Sequence, residues 1–208
     1  MAMPPTGDGR APPKAYHHGA LRAALLEAAE RLLERDGIAG LTLRAAAREA
    51  GASHAAPKNH FGDLAGLLSE LAAVGFERFA DHLRTAASGQ STAQARLNAI
   101  GRAYVEFALA NPGLFQLMFR GERLDATRPA LREAMDASYG LLTAGVTAAH
   151  PGTPGTNPVV TAARVARAWT MVHGYAMLLL DGRLDPLLSG HSPPIAASAL
   201  LDAMLTID

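Results

Sequence analysis

The chain has 208 residues, 49% of them hydrophobic, and it balances 19 Lys and Arg against 19 Asp and Glu. That length suits one large domain or a small domain fused to a larger one, and the zero net charge excludes a uniformly basic protein but not a local basic patch. The absence of cysteine excludes disulfides, thiolate metal sites and cysteine nucleophiles. No apolar run is long enough to span a bilayer and the N-terminus lacks the apolar core of a secretory signal, so a cytoplasmic protein without membrane contact is expected.

Residues 1–15 are rich in Pro and Gly and read as a disordered arm. A first helix is expected from His18 to Asp36, because Leu21, Leu25, Ala28 and Leu32 recur on one face. Gly37 should end it. Thr42 is placed to cap the next helix, Arg44 to Ala50, which is rich in alanine. Gly51 supplies a residue able to turn the chain at a helix end. Ser53 then reads as the N-cap of a short helix running through His54 to His60, with Pro57 near its first turn. Two helices joined by a tight turn containing Gly have the outline of a helix-turn-helix, which many αα-hairpins share. Residues 1–62 carry eight Lys and Arg against six Asp and Glu, and four of the eight histidines (His17, His18, His54 and His60).

The remainder reads as helix throughout. Leu64 to Ala87 is long and amphipathic, and Ser88 to Ser91 breaks it. Thr92 to Ala110 follows and stops at Asn111-Pro112-Gly113, since proline cannot continue a helix. A short apolar segment, Leu114 to Phe119, precedes a helix from Arg128 to His150. The loop HPGTPGTNP leads into Val159 to Leu180, closed by Asp181-Gly182, and a last helix spans Pro194 to Leu205. No useful β-alternation occurs. The expected fold is all-α, with about nine helices. It divides into an arm (1–15), a three-helix head (16–63) and a larger helical domain (64–208).

In their order, these features resemble the DNA-binding domain of the TetR family of bacterial transcriptional regulators. The first helix ends at ERDG, Leu41-Thr42-Leu43-Arg44 opens the second, and Ala47 to Ser53 makes the turn. His60-Phe61 closes the next helix, and a Leu67-Leu68 pair follows. The segments Ala103–Phe119 and Ala168–Leu184 are similar to one class of TetR-family effector domain. Trp169, His173 and Gly174 resemble the signature of the type named for its W, H and G residues.

The resemblance implies a homodimer on a near-palindromic, double-stranded DNA operator. Thr42 would cap its helix and bond a phosphate, and Arg44 would reach the backbone or a base edge. Ser53, His54 and Ala55 would read bases, while Lys58 and His60 would meet phosphates. Two departures stand out: Lys58 where the family usually has Tyr, and Leu64 where it usually has a basic residue. The first keeps a phosphate-seeking group, and the second removes one.

For the larger domain, Tyr104, Phe107, Phe115, Met118, Phe119, Met135, Tyr139, Trp169, His173 and Met177 are the candidates for an apolar effector pocket with a few polar handles. Each reads equally as core; Gly174 reads as a close helix crossing, and His173 as a satisfied core histidine. His17-His18 does not suggest a metal site, because adjacent histidines on a helix diverge and no second cluster has ligand spacing. No cofactor fingerprint or catalytic constellation is present. The expected function is a ligand-responsive transcriptional regulator, a repressor released by a small apolar effector and dimerising through its last two helices. The competing reading is a helical small-molecule-binding protein with weak or lost DNA binding; the near-neutral head and Leu64 support it.

Overall fold

The computed structural model describes residues 15–152, 157–192 and 195–207, with side chains from residue 19 onward. Residues 1–14 of the expected arm, the His17 and His18 side chains and Pro194 lie outside that description, and Ala15, the arm's expected last residue, belongs to the first helix. Ten α-helices and one 3-10 turn make up the described residues, with no strand among them.

Helix α1 (Ala15–Gly40) breaks its helical geometry at Gly37, at φ 68°. Of the stripe that the periodicity predicts, Leu25, Ala28 and Leu32 are buried and Leu21 is half-buried, while buried Ala29 and Leu33 widen the inward face. Helix α2 (Leu43–Glu49) starts at Thr42, whose hydroxyl accepts the Ala45 N–H at 3.1 Å. Such a cap contributes about 1 kcal/mol. At its end, Gly51 adopts φ 64°; its N–H reaches the Arg48 carbonyl and the Ala52 N–H reaches that of Ala47. This is a Schellman closure, and it needs the left-handed conformation that glycine adopts freely.

The following helix, α3 (Ala56–Phe61), begins later than its sequence suggests. Its N-cap is Ala55 without a side-chain cap, so Ser53 does not cap it, and His54 and Ala55 form a turn before it. Pro57 is the reason. An earlier start would require the Pro57 nitrogen to donate to the Ser53 carbonyl, but proline has no N–H and its ring clashes with that carbonyl. The Ser53 carbonyl instead accepts the Ala56 N–H at 3.0 Å.

Helix α4 (Leu64–Ala87) has the predicted limits, with the Asp63 carboxylate accepting the Gly66 N–H. Then come α5 (Ala93–Ala110), capped by Thr92, α6 (Pro112–Met118), the 3-10 turn Gly121–Arg123 and α7 (Pro129–Ala149). Helix α8 (Pro158–Leu180) is capped by Asn157, α9 (Asp185–Ser189) is a short helix that hydrophobic periodicity did not reveal, and α10 (Ala197–Thr206) closes the chain. The last helix thus starts three residues after its expected beginning.

Helix α4 runs through the centre. Its buried residues Leu67, Leu68 and Leu71 join the larger hydrophobic core, which extends from Leu25 and Phe61 to Val172 and Leu201. Gly101 lets α10 lie close to α5, since a Cβ there would sit 2.8 Å from Leu205 Cδ2. Gly174 has no such role within the protomer: nothing of the same chain lies within 4 Å of its Cβ position, so it makes no close crossing with another helix of its own chain.

Candidate nucleic-acid interface and effector cavity

Buried Ala56, Pro57 and Phe61 press α3 against the head, where Phe61 is 2% exposed. That packing determines what the helix offers to solvent. Ser53, His54, Ala55, Lys58 and Asn59 are exposed, and His60 is half-buried with its ring tilted against that of Phe61. Thr42 and Arg44 are exposed at the start of α2. Arg44, Arg48 and Lys58 enter none of the ion pairs among the described residues, whereas Arg31 and Arg35 both pair with Glu49. The exposed face therefore carries more usable positive charge than the head's near-neutral total suggests.

Asn59 was not among the sequence candidates. It lies four residues after Ala55 on the same exposed face, a spacing that the sequence already contained. A side-chain amide there has the donor and acceptor pair that matches adenine in a major groove. Leu64 is half-buried and packed against the core. Its substitution for a basic residue trades a phosphate-seeking group for packing at the start of α4.

A cavity of about 860 Å³ opens between α4, α5, α7 and α8. Tyr104, Met118, Phe119, Met135, Tyr139 and Trp169 line it, as do Leu124 and Ala126 from the segment before α7. Phe107, Phe115, His173 and Met177 are not part of the lining. Phe107 and Phe115 are buried, with Phe115 packed edge-on to Tyr104 at 5.7 Å between centroids. The polar groups Gln94, Asn98, His150, Arg164 and Arg167 do line the space. Sequence reasoning missed them because they lie on separate helices whose facing sides only packing defines.

Tyr104 forms the polar centre of this aromatic cluster. Its hydroxyl oxygen accepts the Trp169 Nε1–H at 3.3 Å and lies 2.9 Å from His173 Nδ1. Burial pushes the Tyr104 hydroxyl far above the usual tyrosine range, so it keeps its proton. Burial also lowers the His173 pKa and favours the neutral ring. We therefore assign the Tyr104 proton to the bond with Nδ1, which leaves the imidazole hydrogen on Nε2. Thus His173 acts behind the cavity wall, orienting Tyr104.

Two family models match the chain. One, for bacterial regulatory proteins of the tetR family, covers residues 25–71; the other, for the tetracyclin repressor-like C-terminal domain, covers 97–206. The chain belongs to the TetR family. This TetR-family chain is 38% identical to a protein of unknown function from Rhodococcus sp. RHA1, with a TM-score of 0.75 over 93% of this chain and 95% of that one. It shares its fold with RolR, solved in complex with resorcinol, at 15% identity and a TM-score of 0.59 over 94% and 97% of the two chains. It is also 26% identical over 98 residues to YobS of Bacillus subtilis, an uncharacterized HTH-type transcriptional regulator; that match covers 47% of this chain and 51% of YobS. The chain spans about half the length of that curated relative. No described helix is long and apolar enough to cross a membrane, and no group of three or more potential metal ligands occurs among the described residues.

Proposed function

We propose that this TetR-family chain is a dimeric, DNA-binding transcriptional repressor that a small, largely apolar effector releases from its operator. One observation carries the reading. A single continuous helix, α4, links a head with an exposed recognition face to a body with an 860 Å³ cavity. That volume lies within the range of small-molecule sites, as does a mostly aromatic and aliphatic wall with a few polar groups. In this reading Ser53, His54, Ala55 and Asn59 meet base edges, while Thr42, Arg44, Lys58 and His60 meet the phosphate backbone.

The effector's body would stack among Phe119, Tyr139 and Trp169, with the Tyr104 hydroxyl as its internal polar contact. RolR was solved with resorcinol, a small aromatic with hydroxyl groups. A ligand of that type suits the wall described here. Release requires the effector to bind the DNA-incompatible form more tightly than the DNA-bound form, since tight binding alone shifts nothing.

Dimerisation is assigned to α8 and α10. The outward face of α8 presents exposed Ala163, Ala166 and Thr170 and half-buried Gly174, and α10 presents exposed Ala199 and Ala203. Small residues on both helices allow the close approach of a four-helix bundle. Such a dimer must set the two α3 helices about 34 Å apart to enter successive major grooves.

The test is binding to promoter DNA beside the chain's own gene, compared with scrambled DNA at moderate salt. Preference for the promoter fragment is expected. Equal affinity for both would refute the repressor and leave the small-molecule-binding reading.

A further inference from the structure

The head and the cavity are joined by a second connection besides α4. The segment Leu124–Arg128 follows the 3-10 turn, and its Leu124 and Ala126 form part of the cavity wall. The same segment is pinned to α4. The Asp125 N–H donates to the Ser69 hydroxyl at 2.8 Å, and that hydroxyl donates in turn to the Ala65 carbonyl. Ser69 is fully buried. A buried hydroxyl that both accepts and donates holds the loop in one register.

From the end of this segment Arg128 extends back across α4. Its Nη2 donates to the Phe61 carbonyl at 2.8 Å, and its Nη1 lies 3.5 Å from Glu70 Oε1. Its Nε is sheltered from solvent, 3.6 Å from the Asp125 carboxylate. Phe61 is the last residue of α3. The final carbonyls of a helix lack intrahelical partners, and a cation placed there meets the negative end of the helix dipole. Glu70 also pairs with Arg22 of α1, whose guanidinium lies 5.8 Å from the Phe61 ring centroid. Arg128 therefore joins a cluster that touches α1, the end of α3, α4 and the cavity wall.

Gly66 shows how closely the arginine passes. A Cβ at that position would lie 2.0 Å from the Phe61 carbonyl oxygen and 2.3 Å from Arg128 Nη2. Only a residue without a side chain leaves this passage open.

We propose that Arg128 is a positioning residue for DNA reading, a latch that fixes the C-terminal end of the recognition helix and transmits displacement of the cavity wall to it. The latch deepens the repressor reading and rests on it for its biological meaning. A ligand that displaces Leu124 and Ala126 moves the backbone carrying Arg128. The guanidinium then leaves the Phe61 carbonyl, and α3 loses its terminal restraint. Because Arg128 is 67 residues from Phe61 in sequence, local helix stability cannot substitute for it.

Hydrogen exchange on the full chain, free of DNA and ligand, tests the latch directly. Arg128→Ala should speed exchange of the α3 amides about tenfold while α5 amides are unchanged, as expected for loss of one charge-assisted hydrogen bond. Arg128→Lys should restore part of the protection, since an ammonium can meet the carbonyl but cannot bridge to Glu70. Leu124→Ala should speed α3 exchange in the native chain and add nothing in the Arg128→Ala background, because both act through one connection. Unchanged α3 exchange in Arg128→Ala, equal loss of protection in α5, or additive effects of the two substitutions would each overturn the latch. A parallel titration with promoter DNA separates the two levels: no preference for the promoter in the native chain refutes the repressor reading, while exchange still decides the latch. Where the promoter is preferred, Arg128→Ala should weaken its binding about tenfold; unchanged affinity would overturn the positioning role.

Discussion

Tyr104 is held by two residues of the same helix, Trp169 and His173, one turn apart on α8. Its ring packs edge-on against Phe79 at 4.9 Å between centroids. This arrangement makes His173 a measurable reporter. Burial lowers its pKa below the ordinary 6.5, so the unfolded chain takes up a proton first as pH falls. The stability contributed by neutral His173 is therefore complete above about pH 6.5 and is lost as pH falls through the folded-state pKa. Replacing His173 with Asn should remove that part of the acid sensitivity. Thermal midpoints of both chains between pH 8 and pH 5 provide the check, and parallel profiles would exclude His173 as the titrating group. Gly66 makes a second prediction at this scale. Gly66→Ala forces the Phe61 carbonyl and Arg128 apart and should cost about 1–3 kcal/mol, the usual range for overpacking. An unchanged denaturant midpoint would show that the passage relaxes without strain.

At the scale of elements, α3 shows how one proline shapes a reading surface. Pro57 delays the helix to Ala56, so His54 and Ala55 are presented on a turn and Lys58 and Asn59 on the first full turn of helix. The two groups should behave differently in DNA titrations. Lys58→Ala should weaken all sequences alike and lower the salt slope by about one, as expected for a lost phosphate contact. Asn59→Ala should change base preference at one position and leave the salt slope in place. Identical profiles for the two variants would refute this division of labour.

At the scale of the whole molecule, the outward face of α8 carries the dimer prediction. Gly174 has nothing within 4 Å of its Cβ position, so Gly174→Arg should leave the protomer fold intact. The change also favours helix by about 1 kcal/mol, since glycine is a poor helix former. In a close four-helix interface the same side chain would collide with the partner. Sedimentation should show a monomer that retains its helical circular dichroism; a dimer as stable as the native one would move the interface away from this face. The head also meets the body where Glu34 accepts the N–H groups of Gly113 and Leu114 at the start of α6. The head is thus fastened to the body through Glu34 as well as through Arg128.

Local chemistry made much of this architecture legible in sequence. Thr42 caps its helix because its hydroxyl reaches the N–H three residues on, and Leu64–Ala87 has the limits that its periodicity and flanking residues imply. Family membership was legible for the same reason, since its features follow one another along short stretches. The later start of α3 was also local, but it required weighing Pro57 against an attractive N-cap at Ser53. Other features depended on long-range packing. Which aromatic residues line the cavity, and that Phe107, Phe115, His173 and Met177 do not, follows from how α5 to α8 are rotated against one another. The contacts of Arg128 with Phe61 and Glu70 join positions far apart in the chain. Periodicity along a helix identifies an inward face but not the partner it meets. The sequence by itself therefore determined most of the helices, the Thr42 cap and the family, whereas only the tertiary structure decided the cavity wall and its link to the recognition helix.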